Sequence, residues 1–135
     1  MARFNRINLD GCSITETRTA AVDVLPGTAL AITADRFTVS DGTGAVYVAN
    51  TGHLMGLSAD EAIPADNSIE GEYLEQGRGI AVLVAAGTAV AMDAPLSVGA
   101  DGVFGALAEG DTALVYGKED YTVGDEPELV WVRGA

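Results

Sequence analysis

The residues most often used in catalysis are scarce in this chain, which has one His and one Cys. His53 follows a turn, and no Ser or Cys nucleophile stands near it in a recognisable elbow. Cys12 lies in a polar segment, without the close cationic neighbour that lowers the pKa of a catalytic thiol. A single Cys and a single His also exclude an internal disulfide, a Cys-rich zinc site and every two-His metal motif. We therefore predict no catalytic His or Cys.

Three acids, Glu70, Glu72 and Glu75, flank one predicted strand. Glu70 and Glu72 have the same parity, so their side chains would share one face of that strand. Two carboxylates about 5 Å or about 6.5–9.5 Å apart can carry out glycoside hydrolysis. Such sites usually lie in an aromatic-rich cleft, whereas this sequence has one Trp and four Tyr. We interpret the acids as a solvated edge, with a small hydrolase using Glu70 and Glu72, or His53, as an alternative.

Two kinds of glycine motif could bind an ion or a phosphate. Asp41-Gly42 begins a turn, but the residues after it lack the alternating oxygen ligands of a calcium loop. Gly77-Arg78-Gly79 lacks the Lys and the following helix of a P-loop. We predict ordinary chain reversals at both motifs, and neither a metal ion nor a cofactor.

The charge of the chain excludes several classes of partner. Its 135 residues contain 7 Lys and Arg against 20 Asp and Glu, for a net charge of -13. Neutralising phosphates needs clustered cations, so nucleic acid is not an expected partner. The longest nearly uncharged apolar stretch, Gly79 to Met92, is shorter than the roughly 20 residues of a membrane-spanning helix. We therefore expect no membrane partner either.

This charge is divided unevenly along the sequence. Residues 1–22 carry a net charge of +1, and residues 23–135 carry -14. The first segment is polar and Thr-rich, and its apolar residues are too isolated to form the periodic face of a helix. We predict an extended N-terminal arm, residues 1–22, that docks on a partner, followed by a single acidic β domain, residues 23–135.

The acidic part has the pattern of an all-β protein. From Val22 onward, short apolar runs are interrupted by Gly, Asp, Asn and Pro at intervals of about ten residues. The 17 Gly residues disfavour helices and suit a compact, turn-rich β-barrel or sandwich. One short helix is predicted at Ser58–Ile63, where Ser58 can cap the first turn. The predicted strands are Ala29–Thr33, Phe37–Val39, Ala45–Ala49, His53–Leu57, Gly71–Leu74, Ile80–Val84, Ala89–Met92, Leu96–Val98, Leu114–Tyr116 and Leu129–Arg133.

Two segments of this domain are similar to each other. Gly27–Ile32 reads GTALAI and Gly87–Met92 reads GTAVAM, and each precedes a short apolar segment and an Asp-Gly turn. The similarity indicates either a duplicated β-unit or a chance match between strands of small residues.

The second half of the chain has a further pattern of strands and turns. It contains GLSA at 56–59, GEYLEQG at 71–77, AVLVAAGTAV at 81–90, LSVGADG at 96–102, VGD at 123–125 and VWV at 130–132. From about residue 54 to 133, this pattern resembles the capsid decoration (head cement) proteins of tailed bacteriophages. Residues 64–68 depart from the family pattern, and the residues before 54 match none of its motifs.

The resemblance implies a structural virion protein, not an enzyme, made in the host cytoplasm and bound to the outer surface of the phage capsid. There it would stabilise contacts between major capsid proteins, as a homotrimer with a β-barrel or β-tulip body at three-fold or quasi-three-fold axes. The arm would reach between major capsid proteins and add a strand to one of their sheets, gaining main-chain hydrogen bonds. Phe4 and Ile7 would be apolar anchors, and Arg3 and Arg6 would pair with capsid carboxylates. The predicted capsid-binding residues are Arg3, Phe4, Arg6, Ile7 and Leu9.

Two other classes of function stay open at this point. A carbohydrate-binding β-module would need an exposed aromatic platform. Another phage structural protein, from the tail or neck, would share the same turn-rich β pattern. The residues available for an aromatic platform are Tyr47, Tyr73, Tyr116, Tyr121 and Trp131.

Overall fold

Twelve β-strands make up most of the regular structure in the described chain. The computed structural model describes residues 3–99 and 101–135. One 3-10 helix, His53–Met55, follows the fourth strand. The strands are β1 (Thr15–Ala20), β2 (Ala29–Thr33), β3 (Arg36–Val39), β4 (Tyr47–Ala49), β5 (Ser68–Tyr73), β6 (Gly79–Val84), β7 (Ala89–Val90), β8 (Pro95–Val98), β9 (Phe104–Ala106), β10 (Val115–Gly117), β11 (Tyr121–Thr122) and β12 (Glu128–Gly134).

Ten of these strands close into two five-stranded barrels, which confirms the expected all-β barrel fold. The first barrel has the ring order β1-β3-β2-β4-β5, and the second has the ring order β6-β9-β8-β10-β12. In each barrel one pair is parallel, β1 with β3 and β6 with β9, and the others are antiparallel. β7 and β11 form a separate two-stranded sheet. Closing each sheet on itself removes the free edges that would otherwise invite pairing with other chains.

The two barrels have the same topology and the same register. In chain order, β1 to β5 of the first barrel correspond to β6, β8, β9, β10 and β12 of the second. Ala20 pairs with Phe37 in one parallel pair, and Val84 pairs with Phe104 in the other. Phe37 and Phe104 are both fully buried. The chain therefore contains two equivalent barrels in tandem.

This duplication differs from the one that the sequence similarity suggested. Gly27–Ile32 contributes to β2, and Gly87–Met92 contributes to β7, which belongs to neither barrel. The true counterpart of Leu30 in β2 is Leu96 in β8, because each pairs with the corresponding residues on both neighbouring strands. The shared GTA sequence reflects a glycine in the left-handed region, at Gly27 and Gly87, followed by small strand residues.

Two clusters of buried apolar side chains hold the barrels together. The smaller cluster lies inside the first barrel around Phe37, Leu30 and Ile69. The larger cluster fills the second barrel around Phe104 and extends to Val48 on the first barrel. The two barrels thus share one apolar junction, which is continuous with the core of the second barrel.

Two glycines lie where the barrels meet. The Leu83 N–H donates to the Gly27 carbonyl at 2.9 Å, and the Ala29 N–H donates to the Gly102 carbonyl at 2.9 Å. Both glycines have positive φ, +90° and +76°. A Cβ on Gly27 would lie 2.4 Å from the Leu129 side chain, so both the backbone angle and the close approach require Gly there.

Two predictions for the segment between β4 and β5 were wrong. The predicted strand His53–Leu57 is absent, and its first residues form the 3-10 helix His53–Met55, which Gly56 caps with a φ of +76°. The predicted helix at Ser58–Ile63 is absent, and those residues form turns. The Ser58 N–H and hydroxyl both donate to the Glu61 carboxylate, at 3.0 and 2.8 Å. The capping contacts exist, but they close a single turn because the buried Ile63 bridges to Val24 directly afterwards.

β1 occupies part of the segment predicted to be an extended arm. It pairs with β5 from Thr15 opposite Glu72 to Thr19 opposite Ser68, and with β3 on its other side. The predicted boundary after residue 22 therefore falls behind the first strand of a barrel. β1 has no apolar pattern by which the sequence could reveal it, because most of its residues are polar. It is held in the barrel by main-chain pairing with β3 and β5, which does not require apolar side chains. The residues ahead of it, 3–14, are called the N-terminal segment below.

Candidate functional site: the N-terminal segment and the groove beside it

The N-terminal segment lies against the chain's own barrels. The Ala81 N–H donates to the Ile7 carbonyl at 2.8 Å, and the Leu9 N–H donates to the Gly79 carbonyl at 3.0 Å. β6 is available for these bonds because it meets β9 only at Val84. Ile7 is fully buried in the larger core cluster. The segment thus behaves as an added piece of strand on the second barrel.

Arg3 is held in a clamp of three groups. Its guanidinium donates to both carboxylate oxygens of Glu119, at 2.9 and 2.6 Å, and to the Leu129 carbonyl at 3.1 Å. It also lies over the Tyr121 ring, 3.6 Å from the centroid. A two-pronged bond to a carboxylate combined with stacking on an aromatic face is an arrangement suited to Arg rather than Lys.

The clamp perturbs the groups that form it. The hydrogen bonds from Arg3 lower the pKa of Glu119, and the same pairing raises the pKa of Arg3. The Tyr121 hydroxyl donates to Glu128 at 2.7 Å, and this bond raises the pKa of Tyr121. Glu128 also accepts from the Gly124 N–H at 2.8 Å, which lowers the pKa of that carboxyl. All the charged groups of the clamp are therefore held in their ionised forms at neutral pH.

The five predicted capsid-binding residues have different surroundings. Ile7 is fully buried, and Phe4 and Leu9 are partly buried against the same core cluster. Arg3 is engaged with Glu119. Arg6 is exposed, and among the described residues nothing forms an ion pair or a side-chain hydrogen bond with it. The capsid contacts themselves stay a prediction, but the apolar residues already serve the chain's own core.

A second ion-pair network holds the end of the segment. Asp10 accepts from Arg133 at 2.7 Å and from the Gly79 N–H at 2.9 Å, and these bonds lower its pKa. Arg78 donates to Glu75 at 2.7 Å. The Ile14 N–H reaches the same Glu75 carboxylate at 3.3 Å.

The acids interpreted from the sequence as a solvated edge are not all in solvent, because Glu72 is buried, and the alternative of an open catalytic pair with Glu70 is not formed either. Glu72 is 4 % exposed and accepts a hydrogen bond from the Ser13 hydroxyl, so the N-terminal segment covers it. Burial raises the pKa of Glu72. Glu70 is engaged separately by the Asn50 side-chain amide at 2.6 Å. A substrate would have to displace the segment to reach Glu72, which does not suit a glycosidase.

The remaining predicted sites are simple surface features. His53 is exposed, and its Nδ1 lies 3.2 Å from the Thr51 hydroxyl. Cys12 is an exposed free thiol. Among residues 3–99 and 101–135, no three His, Cys, Asp or Glu side chains are grouped to hold a metal ion. Within the same residues, no helix has the length and apolar character needed to cross a bilayer.

Only part of the predicted aromatic platform is accessible. Tyr116 and Trp131 are 40 % and 37 % exposed, on the neighbouring strands β10 and β12. Tyr116 lies opposite Arg133, two residues along β12 from Trp131, so the two rings project from the same outer face. Tyr47 packs edge-on against Tyr73 with centroids 5.4 Å apart. Arg3 covers the ring of Tyr121.

A groove lies next to the Arg3 clamp, with a volume of about 810 Å³. Its floor is apolar, and its acidic wall carries four carboxylates beside the guanidinium of Arg3. The sequence interpretation missed this wall because Asp125, Glu126 and Glu128 have the pattern of an ordinary turn before a strand. The groove is lined by Arg3, Leu25, Pro26, Ala59, Asp60, Leu83, Asp125, Glu126, Pro127, Glu128 and Leu129.

Comparison with solved structures finds a likeness in fold, whereas comparison by sequence finds none. No protein-family model matches the sequence, and no curated protein matches it. Among solved structures, the N base of the head fiber gp8.5 in bacteriophage phi29 is similar in fold, with a TM-score of 0.61. The likeness covers 92 % of this chain and 95 % of that one, at 15 % sequence identity. This chain therefore shares its fold, over nearly its whole length, with the base of a phage head fiber.

Proposed function

We propose that this chain is a structural protein of a bacteriophage virion that binds the outer surface of the capsid and cements contacts between major capsid proteins. The observation that carries the proposal is the shared fold with a head-fiber base over 92 % of the chain. The strand and turn pattern from residue 54 to 133 points to the same class of protein. The buried Glu72 and the exposed, isolated His53 and Cys12 support a role other than catalysis.

The architecture suits a protein that works by being rigid. Two closed barrels share an apolar junction, and the N-terminal segment is tied to the second barrel by main-chain bonds, ion pairs and Ile7. A protein that binds only the assembled shell stabilises that shell by mass action. The net charge of -13 keeps the free protein soluble and repels packaged DNA. We propose a homotrimer at three-fold or quasi-three-fold axes as the bound form.

The direct test is imaging of virions with and without this protein. We expect density for it on the outer capsid surface at three-fold or quasi-three-fold axes, and empty positions in particles that lack it. The depleted particles should lose DNA at lower temperature than complete ones. Density confined to the tail or neck would contradict the proposal and favour a different structural role.

The N-terminal segment is the part of the chain that we propose as the capsid anchor. A deletion through residue 20 is a poor test because it would remove β1 and expose the surface under Ile7. Arg6→Gln is a better test, since Arg6 is exposed and its loss leaves the fold intact. We expect weaker co-sedimentation with capsids for Arg6→Gln, whereas Arg36→Gln on the first barrel, a change of equal charge, should bind normally.

One observation favours glycan binding as a second candidate function. Tyr116 and Trp131 present exposed rings on one outer face of the second barrel. A glycan array with the wild type and with Trp131→Ala tests this function. Signals that disappear in Trp131→Ala would support it, and the absence of any signal for the wild type would exclude it for the glycans displayed.

A further inference from the structure

We propose that the groove beside the Arg3 clamp receives an extended, arginine- or lysine-bearing segment of the protein to which this chain attaches. The proposal deepens the proposed function and rests on it for the identity of the partner, the major capsid protein. It reverses the direction of charge pairing that the sequence suggested. The sequence predicted that arginines of this chain pair with carboxylates of the capsid. In the groove, carboxylates of this chain would instead pair with cationic side chains of the capsid protein.

The walls of the groove define the chemistry of its occupant. Asp125 and Glu126 lie in the loop between β11 and β12, and Glu128, which follows Pro127, is the first residue of β12. Among the described residues, nothing forms an ion pair or a side-chain hydrogen bond with Asp125 or Glu126. Both are exposed, so a cationic partner reaches them without first breaking a bond within this chain.

The floor of the groove is apolar. Leu25 is 40 % exposed, and Leu83 and Leu129, which also line the groove, are buried. An apolar floor under an acidic wall fits a peptide whose cationic side chains alternate with apolar ones. The stems of Arg and Lys are themselves apolar and can lie along such a floor while the charged ends meet the wall.

The spread of the carboxylates argues for a polypeptide rather than a single ion. No three acids in the described chain converge closely enough to hold a metal ion, those of the groove included. They are distributed along a wall, which matches several cations spaced along a chain. The volume of about 810 Å³ can hold several side chains.

One end of the groove already shows how an arginine is bound. Arg3 lines the groove, and its guanidinium is held by Glu119, the Leu129 carbonyl and the Tyr121 ring. The neighbouring carboxylate, Glu128, belongs both to this clamp and to the acidic wall. An incoming arginine would thus extend a row of guanidinium–carboxylate contacts that this chain begins with its own residue.

The first test uses a synthetic peptide with the isolated, full-length protein. The probe is a fluorescent peptide that alternates Arg and Leu, and the comparison peptide carries Glu in place of Arg. We expect only the Arg peptide to bind, with an affinity that falls as salt is raised. The variant Asp125→Asn with Glu126→Gln should weaken binding by about 2- to 30-fold, since each of the two exposed pairs contributes about 0.2–1 kcal/mol.

A matched variant controls for the change in net charge. Asp35→Asn with Glu109→Gln removes the same two charges from exposed positions outside the groove, and Asn tolerates the positive φ of 64° at position 35. This variant should bind the Arg peptide nearly as the wild type does. Equal weakening by both variants would show that the peptide responds to overall charge, and it would overturn the proposal.

The apolar floor is tested by a second matched pair. Leu25→Ser should bind the alternating Arg–Leu peptide more weakly than the wild type does. Val22→Ser, at a position that is 41 % exposed and lies outside the groove, should bind it as the wild type does. If Leu25→Ser binds as tightly as Val22→Ser, the floor takes no part and the groove is not the docking site.

Co-sedimentation with assembled capsids separates the two proposals. Wild-type binding that is lost in Asp125→Asn with Glu126→Gln, and kept in Asp35→Asn with Glu109→Gln, supports both. Capsid binding that is unchanged in the groove variant refutes the groove while leaving the proposed function standing. A wild type that binds the Arg peptide but no capsid refutes the major capsid protein as partner and leaves the chemistry of the groove intact.

Discussion

The close approach of Gly71 to Phe37 gives a sharp test of the packing in the first barrel. A Cβ on Gly71 would lie 2.6 Å from the ring atom Cζ of Phe37, and 3.1 and 3.2 Å from its two neighbours. Phe37 is fully buried, and its strand is hydrogen-bonded on both sides. The ring therefore cannot move aside without disturbing the barrel, and Gly71→Ala overpacks it.

The expected magnitude follows from two opposing terms. Overpacking a buried site costs about 1–3 kcal/mol. Replacing Gly by Ala returns about 0.4–1 kcal/mol through the unfolded chain. With central values of about 2 and about 0.7 kcal/mol, the two terms leave a net loss of about 1.3 kcal/mol for Gly71→Ala. In Phe37→Leu the ring tip is gone, so the methyl group added by Gly71→Ala would fill space instead of clashing. The loss in free energy of unfolding of the double variant should therefore be about 1 kcal/mol smaller than the sum of the losses of the two single variants.

Urea unfolding followed by circular dichroism measures these free energies for the two single variants and the double variant. Gly105→Ala is the matched control, because Gly105 also lies in a strand and has nothing within 4 Å of its Cβ position. It should change the stability by no more than about 0.5 kcal/mol. Additive effects within about 0.5 kcal/mol, or a neutral Gly71→Ala, would refute the packing argument.

Three further predictions concern other parts of the fold. Burial raises the pKa of Glu72, so the folded state loses stability as the pH rises from the ordinary Glu value of about 4.3 through the raised value. Unfolding midpoints measured from pH 4 to 8 should decline less in Glu72→Gln than in the wild type. An equal decline in both would contradict the assignment to Glu72. A double-mutant cycle with Arg3→Ala and Glu119→Ala should give a coupling of about 0.5–1 kcal/mol that shrinks in high salt, and a salt-independent value would indicate packing instead. Gly102→Ala should lower the melting temperature more than Gly110→Ala does. Both glycines have positive φ, but only a Cβ at position 102 would lie 2.8 Å from Val39 and Thr28. Equal decreases in melting temperature would show that only the backbone angle matters.

The sequence predicted the elements whose apolar residues are continuous or clearly bounded by turns. β2 and β6 were assigned within one residue because Ala29–Thr33 and Gly79–Val84 are apolar runs between glycine turns. β1 was missed because its sequence, TETRTA, is polar, and its place in the barrel depends on pairing with β5 about fifty residues away. Such pairing is a property of the folded chain and leaves little trace in local composition.

The same limit applies to the candidate site. The sequence predicted capsid contacts for the N-terminal residues, which stay a prediction, and it did not show that Ile7 is fully buried against its own chain. The clamp joins Arg3 to Glu119 and Tyr121, and the groove joins Leu25 to Glu126. These residues are more than 100 positions apart, so no spacing in the sequence could have shown that they meet.

The identical topology of the two barrels has a consequence for how the chain folds. A strand of one barrel is geometrically acceptable in the matching slot of the other, and large β proteins often misassemble during refolding through such exchanges. β1 and β6 are the strands that begin each barrel, and their sequences, TETRTA and GIAVLV, are very different. In the slot of β6, which is buried along its whole length, β1 would place Glu16 and Arg18 without solvent. Divergence between the two halves thus keeps each nascent strand in its own barrel and shortens the search for the native pairing.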